Sequence, residues 1–284
     1  EIRAGGCDLA FPTNGTLLEV NAQQLVDNGP TRLWVSLDGP APVNDLQRGR
    51  GVFKRVMRGL QALAAARAAK GSRYPELGVT YVVTPSNCDH IESFFLNDID
   101  LSLLSCVSIE LQSFATRDEA TRYGNDLKKH FGVANTPCAS AYVRDPDIFA
   151  GMDAVEVTRQ LRRVSEACDE RGILFHSQPQ TLETSNVQNY LRANWQQMID
   201  RRTRCGVPWL AAEISARGEV TTCHTFNDLP LGNIYERPLL EIWQGERHKQ
   251  VQAYLRSQLF PICTACCRYW GGAGALPARR ERDD

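Results

Sequence analysis

The chain has 284 residues, of which 43% are hydrophobic and 23% are charged, and its formal net charge at pH 7 is −1. This size and composition are typical of a globular protein that buries its own core. The balanced charge argues against nucleic acid or an anionic membrane as a partner. No apolar run reaches membrane-spanning length, and residues 1–7 do not resemble a signal peptide. We therefore predict a cytoplasmic protein with no nucleic acid and no membrane among its partners.

Short apolar runs alternate along the chain with longer segments of helical periodicity. The predicted strands end at residue 13, cover 32–37, 77–87 and 106–114, and return at about 172–180. Between them, the periodicity predicts helices over 53–70 and 153–170, which end at Gly71 and Gly172. Strands that alternate with helices indicate βα units and a parallel sheet, so the predicted fold class is α/β.

The pattern changes after about residue 186, where the strand–helix alternation stops. A helical stretch leads to Cys205, residues 207–223 predict a small hairpin, and residues 239–255 predict a helix before the cysteines near residue 265. We expect a first domain over residues 1–185, a second over 186–270 and a loose Gly- and Arg-rich tail over 271–284.

Polar residues follow each predicted strand at its carboxyl end. In parallel α/β folds the chemistry is found at this edge of the sheet. The period of two places Glu110 with Gln112, and His176 with Gln178, on one face of their strands. These four residues are our candidates for the lining of a substrate cavity and for catalysis. The alternative is that they are ordinary inward polar side chains that bind water.

The ten cysteines of the chain require an explanation other than disulfides, because a chain of this length can bury its own core. Clustered cysteines are better explained as metal ligands, and scattered ones as small buried residues. Four thiolates can hold either a 4Fe-4S cluster or a tetrahedral zinc ion, and spacing alone does not separate these two.

Two ordered groups of motifs point to a family. The first contains TNGTLL at residues 13–18, SLDGP at 36–40, Asn44-Asp45, Arg48-Gly49 and Gly51-Val52-Phe53. The second contains Cys205, twelve residues, Gly218, four residues and Cys223, followed by LGNI, LLEIW and the pair Cys263-x2-Cys266. This series resembles the barrel of radical S-adenosylmethionine (radical SAM) enzymes with their C-terminal SPASM or twitch extension.

The resemblance implies a partial (β/α)6 TIM-like barrel, from its third strand onward, followed by a small cysteine-rich α+β domain. It places S-adenosylmethionine beside Thr13, Asn14 and Gly15, with Asn87 near the adenosine. Ser36 and Arg48 match positions that hold the methionine carboxylate, for which a hydroxyl and a guanidinium fork are suited, and Asp38 lies nearby. The implied ligands of an auxiliary iron–sulfur cluster are Cys205, Cys223, Cys263 and Cys266, with Cys267 as a spare.

The chain departs from the family in two respects. It contains no Cys-x3-Cys-x2-Cys, the motif that binds the radical-generating cluster, so we expect a fragment of a longer protein that is inactive alone. It also lacks the two cysteines that often follow the Cys-x2-Cys pair, so we expect one 4Fe-4S cluster in this chain rather than two.

The main hypothesis is therefore part of a radical SAM oxidoreductase or maturase that generates a radical on a peptide, protein or small metabolite. Its reductant would be a flavodoxin or a ferredoxin. One alternative is a degenerate relative that binds a peptide or a cluster without catalysis. The other is an α/β protein stapled by zinc.

Overall fold

A computed structural model describes residues 2–223 and 225–271 of the chain. These residues form two compact units that are interleaved in sequence. Unit 1 contains Glu1–Gln112 and Gly151–Gln188, and unit 2 contains Ser113–Ala150 and Asn189–Asp284. The domain boundaries at 185 and 270 remain a prediction, and the tail predicted from residue 271 lies, from residue 272 on, outside the described residues.

Strands and helices alternate through most of the described chain. The strands are β1 (Ala10–Thr13), β2 (Arg32–Ser36), β3 (Glu76–Val83), β4 (Cys106–Leu111), β5 (Leu174–Gln178), β6 (Glu213–Ile214), β7 (Glu219–Thr221) and β8 (Gly232–Asn233). The helices are α1 (Leu18–Asn28), α2 (Ala41–Arg48), α3 (Val52–Lys70), α4 (Ile91–Ser93), α5 (Arg117–Phe131), α6 (Pro137–Ala141), α7 (Ala154–Asp169), α8 (Thr184–Leu191), α9 (Val207–Leu210), α10 (Leu239–Gln244), α11 (Glu246–Ser257) and α12 (Cys267–Gly271).

Unit 1 contains a parallel sheet in which the described strands follow the order β1-β2-β3-β4-β5. The predicted α/β class and parallel pairing are confirmed. Because neighbouring strands in this order are also consecutive in the chain, each connection crosses over one face of the sheet. Right-handed crossovers place their helices on the same face. Because all four pairings are parallel, the carboxyl ends of the five strands lie at the same edge of the sheet.

The face of the sheet that is covered by helices is apolar. Its members are almost fully buried: Leu33, Val35, Leu77, Val79, Tyr81, Val83, Val107, Ile109 and Leu111. Helix α3 packs here, since a Cβ on Gly15 would lie 2.9 Å from Val35 and 3.0 Å from Val56. Helix α1 packs closely on α3 through Gly59, where a Cβ would lie 2.6 Å from Leu18. Burial of this face and its helices stabilises the unit, at about 25 cal/mol per Å² of apolar surface removed from water.

On the opposite face of the sheet, an aromatic ring on β2 packs against the neighbouring strand β3. Trp34 lies across Gly78 on the neighbouring strand, where a Cβ would meet the ring at 2.5 Å and the Cys106 sulfur at 2.8 Å. The Arg32 guanidinium stands 5.7 Å from the same ring and is paired with Glu76. A side chain at position 78 would collide with this ring, so the contact requires glycine.

Unit 2 contains a small antiparallel sheet in the order β6-β7-β8, packed with helices α5, α10 and α11. The predicted hairpin is present as β6 and β7, but its first residues form α9 instead. The helix predicted over 239–255 is divided at Gly245, whose backbone is extended with ψ 161°. A Cβ there would lie 3.1 Å from the carbonyl oxygen of Ile242, so this break favours glycine.

In the ranges 2–223 and 225–271, the structure contains no helix that is both long enough and apolar enough to cross a membrane.

The close approach of Trp34 to Gly78 predicts that Gly78→Ala destabilises unit 1 by about 1–3 kcal/mol, because the methyl group overpacks the site. Urea unfolding followed by circular dichroism measures this loss. Gly151→Ala is the matched control, since Gly151 is exposed in the same unit and a Cβ there meets nothing within 4 Å. Equal midpoints for the two variants would contradict the packing argument.

Candidate metal centre and polar sheet face

Four of the cysteines predicted as ligands line one cavity of ≈ 80 Å³ within unit 2. They are Cys205, Cys223, Cys263 and Cys266. They come from three places in the sequence: the segment before α9, the segment just after β7, and the 3₁₀ turn at Pro261–Ala265 with the residue after it. The fifth cysteine, Cys267, is the first residue of α12 and hydrogen-bonds Cys266.

Gly218 explains how the hairpin delivers Cys223 to this cavity. Its φ is +79°, and a Cβ there would lie 2.6 Å from the Asn233 side chain and from the Tyr235 ring. The Asn233 amide in turn donates to the carbonyl oxygen of Arg217 at 2.9 Å. The turn therefore requires glycine both for its left-handed backbone and for the side chains packed against it. Strand β7 follows the turn, and Cys223 lies two residues beyond its last residue, Thr221.

Two of the sulfurs already accept hydrogen bonds from the chain. The backbone N–H of Phe226 donates to Cys223 Sγ at 3.2 Å, and the Thr225 hydroxyl donates to Cys266 Sγ at 3.3 Å. Donors of this kind stabilise negative charge on sulfur, and in metal centres they tune the ligand.

The protonation of the thiols follows from their surroundings. Burial raises the pKa of Cys223 to about 12 and raises that of Cys263 well above its usual value. The pKa of Cys266 is lowered, chiefly because the Cys267 side chain hydrogen-bonds its sulfur and Thr225 adds a second bond. A metal must therefore displace protons from the first two thiols, while the third favours the thiolate.

The donor set fits a metal group, because the four cysteines share the lining of one cavity. Among the described residues, no three Cys, His, Asp or Glu side chains are close enough together to hold a single metal ion. Four thiols around a shared cavity are nevertheless the ligand set of a 4Fe-4S cluster, and they are also that of a zinc site with four cysteine ligands.

The second chemical feature is a polar row across the face of the sheet opposite to the helices of unit 1. Ser36, Thr80, Ser108 and His176 are register partners on β2, β3, β4 and β5. Neighbouring members are about 4.8 Å apart across the strands. Nearer the carboxyl edge, Glu110 pairs with Gln178, and the Ser108 hydroxyl donates to Glu110 at 3.2 Å.

The structure places the four catalytic candidates in this region with different relations to the row. Glu110 and Gln178 lie in register, and His176 is half-buried one row below them. Burial lowers the pKa of His176, which favours the neutral imidazole. Gln112 lies one residue beyond β4, where its N–H donates to the carbonyl oxygen of Val83.

Asp38 is the centre of the network at the carboxyl edge of β2 and β3. One of its carboxylate oxygens accepts the N–H of Val82 at 3.0 Å, and the other accepts Arg48 Nε at 2.7 Å. Asn44, which is fully buried, accepts the N–H of Asp38 at 3.0 Å. Asp38 thus fixes the Arg48 guanidinium relative to the ends of the two strands, one of which ends at Ser36.

Asn87 and the turn after β1 have clear roles within the backbone. The Asn87 amide donates to the carbonyl oxygens of Asp38 and Val82, and its oxygen accepts the N–H of Thr84. The Thr13 hydroxyl accepts the N–H of Gly15 at 3.1 Å, and Asn14 accepts that of Thr16. These predicted cofactor-binding side chains therefore hold the shape of the edge itself.

Two members of the polar row, Thr80 and Ser108, were missed in the sequence analysis. Each lies inside a strand at the alternate positions of VTYVV and VSIEL, so its side of the strand could be inferred. The register that aligns the two with Ser36 and His176 is decided by strand pairing. Asn44 also belongs to the Asp38 network, because its side chain accepts the N–H of Asp38, a contact that its motif does not predict.

Three comparisons describe what the chain is similar to. It is 21% identical over 283 residues to the Pyrococcus furiosus tungsten-containing aldehyde ferredoxin oxidoreductase cofactor-modifying protein, covering 94% of this chain and 67% of that protein. It shares its fold with native anSMEcpe with bound AdoMet (TM-score 0.51, 16% identity, 93% of this chain and 65% of that chain). The complex of anSMEcpe with AdoMet and the Cp18Cys peptide matches similarly (TM-score 0.51, 15% identity, 93% and 67%). The chain thus spans about two thirds of the length of these relatives.

Residues 205–267 match the SPASM family, which is described as an iron–sulfur cluster-binding domain. This segment begins at the first cysteine of the cavity and ends one residue after the last, so it contains the whole predicted ligand set. Residues 205–267 therefore match a SPASM domain, and the predicted resemblance of the chain to radical SAM enzymes that contain this domain is confirmed.

Proposed function

We propose that the chain is part of a radical SAM enzyme in which one auxiliary 4Fe-4S cluster is held by Cys205, Cys223, Cys263 and Cys266. The observation that carries this proposal is that these four cysteines, distant in sequence, line one cavity inside the segment that matches the SPASM family. The hydrogen bonds donated to Cys223 and Cys266 support the same assignment, because they prepare both sulfurs to carry negative charge.

The arrangement favours a cluster over a zinc ion. A zinc site with four cysteine ligands brings the sulfurs to about 2.3 Å from one atom. In the described residues the four cysteines line a cavity of ≈ 80 Å³. A cavity of this size has room for a group that contains several atoms. Zinc remains the competing metal because a thiolate set accepts both.

At the edge of the sheet in unit 1, we propose that Ser36 and Arg48 receive the carboxylate of S-adenosylmethionine. The support is the contact between Arg48 and Asp38, which orients the guanidinium beside the ends of β2 and β3. Bound there together with its radical-generating cluster, this cofactor would supply hydrogen-abstraction chemistry. Asn87, Thr13, Asn14 and Gly15 would act by positioning that edge, since their side chains or backbone are engaged with the neighbouring chain.

The polar row of Ser36, Thr80, Ser108 and His176, with Glu110 and Gln178 above it, is the proposed surface for the substrate. It offers hydroxyl, imidazole, carboxylate and amide groups in one plane, which suits a peptide or a small polar metabolite. One relative is named as modifying a cofactor, and another was solved with a peptide, so both substrate classes stay within the proposal. A flavodoxin or ferredoxin is the proposed reductant.

Metal analysis of the purified chain, prepared without oxygen, tests the cysteine centre. We expect about four irons and matching sulfide per chain, with a brown visible spectrum. Cys223→Ala and Cys263→Ala should each lose the metal, because each removes one buried thiolate from a site built from four. Cys138→Ala is the matched control in the same unit. Cys138 is not among the described residues that line the cavity, and its backbone N–H, which alanine keeps, donates to Asp228.

Stoichiometric zinc without sulfide would replace the cluster by a structural ion. Full metal retention in both Cys223→Ala and Cys263→Ala would refute the ligand assignment. Absence of metal in the wild-type chain after reconstitution would favour the degenerate, non-catalytic relative.

Stability should depend on pH through His176. Because burial lowers its pKa in the folded chain, the unfolded chain takes up a proton first as the pH falls below about 6.5, and stability is lost in that window. His176→Gln and His176→Phe both remove the titrating group, so both should flatten the fall in unfolding free energy between pH 7.5 and pH 5. Urea unfolding at several pH values measures the slope; slopes equal to that of the wild type would show that His176 titrates as it does in the unfolded chain.

A further inference from the structure

A second, larger cavity of unit 2 lies beside the cysteine centre. It is an open cleft of ≈ 600 Å³, which is within the usual range for sites of small organic ligands. Three segments form its walls: the start of α5, residues 193–203 and residues 259–264, with Tyr269 completing the lining. It shares Arg202, Phe260, Cys263 and Tyr269 with the cavity of the four cysteines. We call it the arginine cleft.

The acidic groups of the arginine cleft are committed within the protein. Both oxygens of Glu119 accept hydrogen bonds: one from the N–H and hydroxyl of Thr116, the other from the hydroxyl of Thr264 at 2.7 Å. Asp118 pairs with Arg122 one helical turn later at 2.9 Å. The remaining charged residues in the lining are Arg201 and Arg202, so the cleft keeps a positive character.

Both arginines lie in the segment 193–203 and contact Tyr269 through hydrogen bonds. The Tyr269 hydroxyl donates to the carbonyl oxygen of Arg202 at 2.7 Å, and the Arg201 side chain hydrogen-bonds the same hydroxyl. Upstream, the Trp195 ring packs 5.6 Å from Trp270 and 5.1 Å from Phe114. A guanidinium that is already held by such contacts loses less conformational entropy when it binds a ligand than a freely mobile one does.

The turn that leads into this segment is strained. Ala193 has φ +57°, and it is the left-handed residue of a Schellman motif: its N–H donates to Tyr190, and that of Asn194 donates to Asn189. Glycine is the usual residue at this position, and a side chain there costs about 1–2 kcal/mol. Strain of this kind is often kept where a wall must be held in one geometry.

Another part of the lining of the cleft is apolar. Leu259 and Phe260 are half-buried there, next to Pro261. A ligand that satisfies both walls needs a charged end for the guanidinium forks and a hydrocarbon or aromatic part for this surface. Arginine forks bind carboxylate and phosphate oxygens in pairs, so the two oxyanions share the recognition chemistry.

We propose that the arginine cleft binds a small organic oxyanion, a carboxylate or a phosphate with an apolar body, between Arg201 with Arg202 and the Leu259–Phe260 wall. The proposal does not depend on which metal the four cysteines hold. Because Cys263 and Arg202 line both cavities, the ligand would lie next to the cavity of the four cysteines.

Isothermal titration calorimetry on the full chain, with its metal content measured in parallel, tests the site. The probes are 3-phenylpropionate, phenyl phosphate and the neutral 3-phenylpropionamide. At least one anion should bind about tenfold or more tightly than the amide, since charge-assisted hydrogen bonds to the guanidinium groups are lost in the neutral compound. The stronger of the two anions identifies the oxyanion.

Arg201→Gln and the double variant Arg201→Gln/Arg202→Gln should each weaken binding of the preferred anion by about tenfold or more, the factor expected between anion and amide. Arg201 is exposed, so the single variant should fold as the wild type does. Arg217→Gln is the matched control, an exposed arginine at the β6–β7 turn, and should leave the affinity unchanged. Equal binding of amide and anions, no saturable binding of either anion, or wild-type affinity in the double variant would each overturn the proposal. Because metal content is read separately, loss of the cysteine centre is not mistaken for loss of the cleft.

Discussion

The parallel pairing of β1 to β5 is the constraint on which the chemistry of unit 1 depends. Backbone hydrogen bonds fix the register, and side chains then alternate between the two faces without further choice. One face is buried against helices through residues such as Val35 and Val79. The same register that buries these valines aligns Ser36 with Thr80 on the other face. A shift of one residue would exchange the two sets.

The carboxyl edge of this sheet shows how polar groups can organise a site without touching a ligand. Asp38 is buried, so its charge needs partners, and it finds them in Arg48 and in the N–H of Val82. Asn87 ties the same corner through the carbonyl oxygen of Asp38. In these contacts the Asp38 carboxylate and the Asn87 amide hold the backbone and Arg48 in place. The Ser36 hydroxyl and the Arg48 guanidinium are the groups of this corner whose chemistry suits an anion.

The cysteine centre of unit 2 rests on a different balance. Burial keeps Cys223 and Cys263 as neutral thiols in the absence of metal, whereas hydrogen bonds favour the thiolate of Cys266. Binding of a metal would therefore be coupled to proton release, and the energy of metal binding would add to the stability of the surrounding fold. The arginine cleft shares Cys263 with this centre, so charge in the cleft would be felt at the metal.

Several features follow from the sequence alone. Alternating strand and helix patterns predicted the parallel sheet, and the family resemblance carried by Cys205-x12-Gly218-x4-Cys223 and Cys263-x2-Cys266 implied the four cysteines that line one cavity. These signals are local: period, turn chemistry and motif spacing are written in consecutive residues. The side of β4 that carries Glu110 was likewise open to prediction, because alternation is a property of one strand.

Which groups meet depends on the tertiary structure. The partners of the Asn87 amide are the backbone carbonyl oxygens of Asp38 and Val82, a contact that its own segment does not predict. Thr80 and Ser108 join the polar row through register between strands, which no single segment encodes. The arginine cleft draws its walls from residues more than 140 positions apart, such as Thr116 and Thr264. Consecutive residues set the local conformations and the chemistry that each segment carries, whereas contacts between distant segments depend on how buried surfaces and hydrogen bonds are satisfied together.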